Sequence, residues 1–153
     1  MNIFILDKNP IKSVQYHTDK HIVKMPIEST QILCTVLHHT QQAPHFAYKP
    51  THQTHPCVKW ASESLDNWLW LKEYTLLLGE EYTYRYNKTH KSILIAHQLP
   101  EPNIPSLGLT PFAKCVPVEF KHLDVIEAYR EYFKHYKNHI KQYTKRPIPY
   151  WWK

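Results

Sequence analysis

Between Tyr16 and Thr35 the chain reads YHTDKHIVKMPIESTQILCT, and its polar residues recur with a helical period. His17, His21, Lys24, Glu28, Gln31 and Thr35 follow one another at steps of four, three, four, three and four. That spacing stacks them on one face of a helix. Apolar residues flank the line on both sides, with Val14, Ile22, Met25, Ile32, Leu33 and Val36 on one and Val23, Ile27 and Cys34 on the other. A plain surface helix does not need two apolar flanks around so narrow a polar line. The pattern calls for a largely buried helix whose stripe lines a groove. Two imidazoles, an ammonium, a carboxylate and an amide in one line can move protons and bind phosphate.

The rest of the chain supplies further helices and almost no strand signal. Asn2 to Leu6 is a short apolar extended start, and Asp7 to Pro10 turns into a first helix expected from about Ile11 to about His39. Pro26 should kink it, because proline removes one amide donor and crowds the preceding turn. Thr40 to Pro56 is a loop rich in Gln, His and Pro. A second helix, about Val58 to Tyr86, carries Trp60, Leu65, Trp68, Leu69, Leu76 and Leu77 and is expected to be the central packing element. Five prolines between Pro100 and Pro117 mark a long irregular connection. A third helix, about His122 to Tyr143, has acidic residues at its start and lysines at its end, as the helix dipole prefers. The expected fold class is all-α: three main helices with long loops, a short extended N-terminus and an aromatic C-terminal tail. No repeat or boundary divides the chain, so residues 1–153 read as a single helical domain.

Composition narrows the function. With two glycines the chain has no glycine-rich phosphate loop, which argues against P-loop and dinucleotide-binding folds. Three cysteines, an odd and sparse count, fit a reducing compartment better than a disulfide framework. No secretory leader and no membrane-length apolar run is visible, so the expected location is cytoplasmic, the host cytoplasm if the chain is viral. A formal charge of +6 with 14% aromatic residues suits nucleic acid, cations meeting phosphates and rings stacking on bases. The plainer reading is a basic soluble protein whose rings fill its core.

Four clusters could carry chemistry. In the stripe, Glu28 with Lys24 and His21 could act as a general acid or base, or stabilise a cationic intermediate. A self-satisfied polar network is the plainer reading, but six aligned polar groups favour function, since buried charge is costly unless paired. In THQTHPC, the ligand types of His52, His55 and Cys57 suit zinc, yet no second ligand pair stands at a familiar spacing. The other reading is a capping loop. In EYTYRYNKTHK, Arg85, Lys88 and His90 alternate with tyrosines and could follow a nucleic-acid backbone. In the tail, Lys145, Arg146, Tyr150, Trp151 and Trp152 would stack on bases if exposed, or close the core if packed. Lys20 and Lys49 add candidate phosphate contacts, as do His17 and Gln31 of the stripe. No G-x-S-x-G or comparable nucleophile motif is present.

Asp19-x-His21 followed seven residues later by Glu28, Pro50-Thr51 ahead of a hydrophobic helix ending in Glu81 and Arg85, and a last helix leading into Arg146-Pro147 and an aromatic tail together resemble one known family. This is the family of small all-α pyrimidine-dimer DNA glycosylase/AP lyases of phage origin, the endonuclease V type. The resemblance implies double-stranded damaged or modified DNA as partner, a monomer, and no cofactor or metal. It implies that an N-terminal α-amine attacks C1′ to form a Schiff base, and that Glu28 is the essential carboxylate. His21 would then position the backbone, and Tyr150 to Trp152 would hold the lesion. In the family the attacking residue is small and exposed by removal of the initiator methionine. Here Asn2 normally blocks that removal, leaving Met1 or Lys24 to supply the amine, or lyase chemistry absent. The competing readings are a metal-dependent His-rich enzyme acting on nucleic acid or nucleotides, using His17, His21, Glu28, His52, His55 and Cys57, and a non-catalytic nucleic-acid-binding phage accessory. RNA stays open as the polymer.

Overall fold

Ile3 to Leu6 runs extended through the middle of the molecule, at most 5% exposed and paired with no other strand. A lone buried strand must find hydrogen-bond partners among side chains. The Tyr74 hydroxyl donates to the Phe4 carbonyl (2.7 Å), Arg130 Nε donates to the Leu6 carbonyl (2.8 Å), and Ser13 Oγ accepts from the Leu6 amide (2.9 Å). These partners come from three different helices, so the strand ties them together. The computed structural model describes residues 1–153 and is all-helical.

The long first helix of the sequence reading is two. α1 (Pro10–Gln15) is capped by Asn9, whose side chain accepts from the Ile11 amide. The chain then leaves helical geometry, because Thr18 adopts an extended conformation and caps α2 (Asp19–His39) by accepting from the His21 amide. His17 therefore lies ahead of the helix whose stripe it was expected to join. Pro26 sits inside α2. One turn before it, the Val23 carbonyl accepts a bond from His90 Nε2 (2.8 Å). His90 Nδ1 accepts from the Ser92 amide, which fixes the tautomer with the proton on Nε2.

The second long helix is also two. Ser64, at φ −154°, ends α3 (Pro56–Glu63) and caps α4 (Leu65–Tyr86) through its Oγ. α4 is the central packing helix, burying Trp68, Leu71, Tyr74 and Leu78 along the side that meets α2. A further helix, α5 (Lys91–Gln98), stands in a stretch to which the sequence reading assigned no element. It crosses α4 so closely at Gly79 that a Cβ there would overlap the Ile93 side chain. α6 (Val125–Tyr136) is shorter at both ends than expected, beginning at the Asp124 cap and stopping at Lys137. No helix is long and apolar enough to cross a membrane.

The aromatic tail folds back. Trp152 is 2% exposed, lies against Phe133 and donates through Nε1 to Asn138 (3.0 Å). Trp151 is half-buried beside it and Tyr150 is exposed. Arg130 lies over the rings of Tyr16, Tyr150 and Trp151.

Candidate active site

The buried strand delivers the start of the chain to the middle of α2. Asn2 fixes the delivery with its whole amide. Its Nδ2 donates to the Cys115 carbonyl (2.9 Å), and its Oδ1 accepts from the Tyr129 hydroxyl (2.7 Å) and from the Ile3 amide (2.8 Å). The Met1 side chain is 1% exposed and packs on the core, while the residue as a whole keeps some exposure. The open part of Met1 is therefore its backbone. Its amine stands 3.3 Å from Glu28 Oε1. From the exposed side, Lys24 Nζ stands 3.6 Å from Glu28 Oε2.

These groups line a cleft of about 160 Å³ together with Asn2, Phe4, His21, Tyr132 and Lys137. Larger grooves lie along the outer face of α4, one of them lined mostly by Leu69, Trp70, Leu77 and other apolar groups, but no amine and carboxylate converge there. The small cleft is where the chemistry gathers.

Lys137 and Tyr132 enter from α6 and its end, and no sequence pattern singled them out. The Lys137 ammonium lies 4.8 Å from the Tyr132 ring centre and 5.5 Å from that of Phe4. Burial, and then the neighbouring Lys24 charge, holds its pKa below the usual lysine value, with Glu28 opposing the shift. His21 lines the cleft as a neutral ring. Burial lowers its pKa to about 2, and Thr18 Oγ1 hydrogen-bonds its Nδ1 at 3.1 Å. His17 is fully buried, donates from Nδ1 to the Ser13 carbonyl, and is lowered by burial to about 4. Both are uncharged at neutral pH.

Of the stripe, then, His21, Lys24 and Glu28 meet at the cleft. Gln31 is half-buried further along α2, and buried Thr35 accepts from the Thr51 amide, anchoring the loop that carries Pro50. Lys20, Lys49 and Lys88 are exposed. Arg85 is placed differently from the sequence reading. Its side chain is 0% exposed, and its guanidinium donates to Glu81, Asp19 and the Gln15 carbonyl. Arg146 grips the same Glu81 through two bonds of 3.0 and 2.9 Å and stacks over Tyr84. Glu81 is thereby held below the usual carboxylate range against the opposing effect of its burial. Lys145 Nζ donates to the Tyr84 carbonyl, and His90 is buried at the α2–α5 crossing.

The histidine–cysteine loop also rearranges. His52 turns away to hydrogen-bond Thr51. His55 and Cys57 are instead joined by Cys115, from the long connection, with one ligand atom of each within 4.8 Å of the others. Cys57 and Cys115 hold their sulfurs 3.7 Å apart. The hydrogen bond from Cys57, helped by Lys121 and the Met1 amine, pulls the Cys115 thiol below its usual value against the opposing effect of burial. This trio stands directly behind the N-terminal dipeptide.

In this helical domain a chain-terminal amine faces a helix carboxylate in a cleft rimmed by lysines, an arrangement that can exchange a proton and hold an anion. Residues 1–94 match the family model of the pyrimidine dimer DNA glycosylases. The chain belongs to that family, one of DNA glycosylases that serve DNA repair. Comparison with curated proteins and with solved structures found no match. The matched segment carries Met1, Lys24, Glu28, His55 and Cys57, whereas Tyr132, Lys137 and Cys115 lie beyond it.

Proposed function

We propose that the protein is a DNA N-glycosylase with a coupled AP-lyase step, acting as a monomeric single domain on damaged or modified duplex DNA. The observation that carries this reading is the 3.3 Å approach of the Met1 amine to Glu28. The amine nitrogen bonds to C1′ of a nucleotide turned out of the stack. The glycosidic bond breaks and the base leaves with its electron pair. Glu28 accepts the proton that the amine gives up, and its charge stabilises the cation developing at C1′. The nitrogen lone pair then opens the sugar ring: the C1′–O4′ bond breaks, O4′ takes up a proton and the Schiff base forms, after which loss of a C2′ proton expels the 3′ phosphate.

The cleft, about 160 Å³, is small beside ligand pockets of roughly 300–1,000 Å³ and suits one sugar rather than a dinucleotide. Lys24 and Lys137 at its edge, with exposed Lys20 and Lys49, supply phosphate contacts. Asn2 serves twice: it retains the methionine and it clamps the terminal residue in place. Borohydride trapping on abasic and dimer-containing duplexes, with the attachment site mapped, tests the reading. The expected adduct is on the Met1 nitrogen. Attachment to Lys24 or Lys137 would overturn the assignment of Met1, and absence of any adduct or base release would overturn the glycosylase/lyase reading.

A further inference from the structure

The trio behind the N-terminal dipeptide has no task in the base-release chemistry, yet its geometry is selective. A tetrahedral zinc site with bonds of about 2.3 Å to sulfur places its two sulfurs about 3.8 Å apart. Cys57 Sγ and Cys115 Sγ are 3.7 Å apart, with a His55 ring nitrogen within 4.8 Å of both. The imidazole already has one partner: His55 Nδ1 accepts from the Cys57 amide (3.0 Å) and caps α3, so ligation of an ion through that nitrogen displaces the bond. His55 and Cys57 sit two residues apart at the start of α3, and Cys115 arrives from 58 residues further on. The surrounding bonds fit a held ligand set. The Cys115 amide donates to the Tyr129 hydroxyl (3.0 Å), and the Cys115 carbonyl accepts from Asn2. Two thiolates also neutralise a divalent cation, so the site adds no net charge beside the Met1 ammonium.

We propose that His55, Cys57 and Cys115 bind one Zn²⁺ ion through an imidazole and two thiolates, with water in the fourth position, stapling α3 and the 99–117 connection behind the N-terminal strand. Binding replaces the thiol protons with the ion, so it releases up to two protons and changes no oxidation state. The site is independent of the glycosylase reading, because it would hold the strand whatever the cleft does.

The test uses reduced, chelator-treated full-length protein titrated with Zn²⁺ against a chromophoric chelator, and with Co²⁺ followed by absorption. One equivalent should bind at submicromolar Kd, Co²⁺ should show thiolate charge-transfer bands, and Zn²⁺ should raise Tm. Cys57→Ser and Cys115→Ser should each weaken binding by more than about 100-fold, and His55→Ala should weaken it as well. His52→Ala should leave it unchanged. The Co²⁺ spectrum of the unaltered protein reads the sulfur ligands directly, should a serine variant fail to fold. Binding that survives Cys115→Ser, a Co²⁺ complex without thiolate bands, or a Cys57–Cys115 disulfide that forms in air while the reduced protein binds no Zn²⁺ would each overturn the proposal.

Discussion

The Met1 amine lies 3.3 Å from Glu28 Oε1 although 26 residues separate the two in sequence, and a buried strand and one asparagine hold it there. Lys24 reaches the other oxygen of the same carboxylate at 3.6 Å. One carboxylate thus faces a packed amine and a solvent-exposed one. The packed amine has little side-chain freedom left to lose, which favours it as the group presented to a substrate.

Glu28→Gln keeps the shape of the side chain and removes its charge. Base release from a dimer-containing duplex should fall by about 100-fold or more, as loss of a proton acceptor and of charge stabilisation implies. Binding to the same duplex, measured by anisotropy, should change little. A variant that cleaves at the normal rate would sink the role given to Glu28.

Arg85→Met separates a structural arginine from a DNA contact. Breaking a buried ion pair by removing one partner costs about 3–5 kcal/mol. Urea unfolding should show a loss of that order, because Asp19 loses its cation and Glu81 one of its two. If stability holds and only DNA affinity drops, the guanidinium faces the substrate after all.

Stability should fall with acid on account of His17 and His21. Their native pKa values, about 4 and about 2, lie below the value of about 6.5 for the unfolded chain. Between those limits the unfolded state binds more protons, so the contribution is full above about pH 6.5 and is lost as pH falls toward the native values. From about pH 7.5 to about pH 5 each ring should cost about 2 kcal/mol of stability, read from urea midpoints. His17→Asn, which keeps a donor for the Ser13 carbonyl, should flatten the curve.

At Gly79 two effects compete. Alanine in a helix interior gains about 1 kcal/mol over glycine. The new Cβ would overlap Cγ1 and Cδ1 of Ile93 and crowd its Cβ, so the whole side chain would have to move. Overpacking of this kind costs about 1–3 kcal/mol, so Gly79→Ala should be destabilising on balance in a thermal melt. Adding Ile93→Ala should recover part of the loss, because the two positions couple by contact.

Much of this was readable in the chain itself. The spacing of His21, Lys24 and Glu28 marks one helical face, and tertiary structure keeps them together because a rigid α2 enforces that spacing. The all-α class follows from the same periodicities. The helix breaks at Thr18 and Ser64 were available as capping residues, but apolar period alone runs through them. Distant pairings were not available. Nothing local in Asn2, Tyr132, Lys137 or Cys115 says that they will meet around Met1, and nothing local makes Arg85 a buried ion-pair residue rather than a surface cation. Periodicity determines what a helix turns inward. Which side chains then share a cleft depends on how α6 and the proline-rich connection close over the buried strand, and only the folded chain decides that.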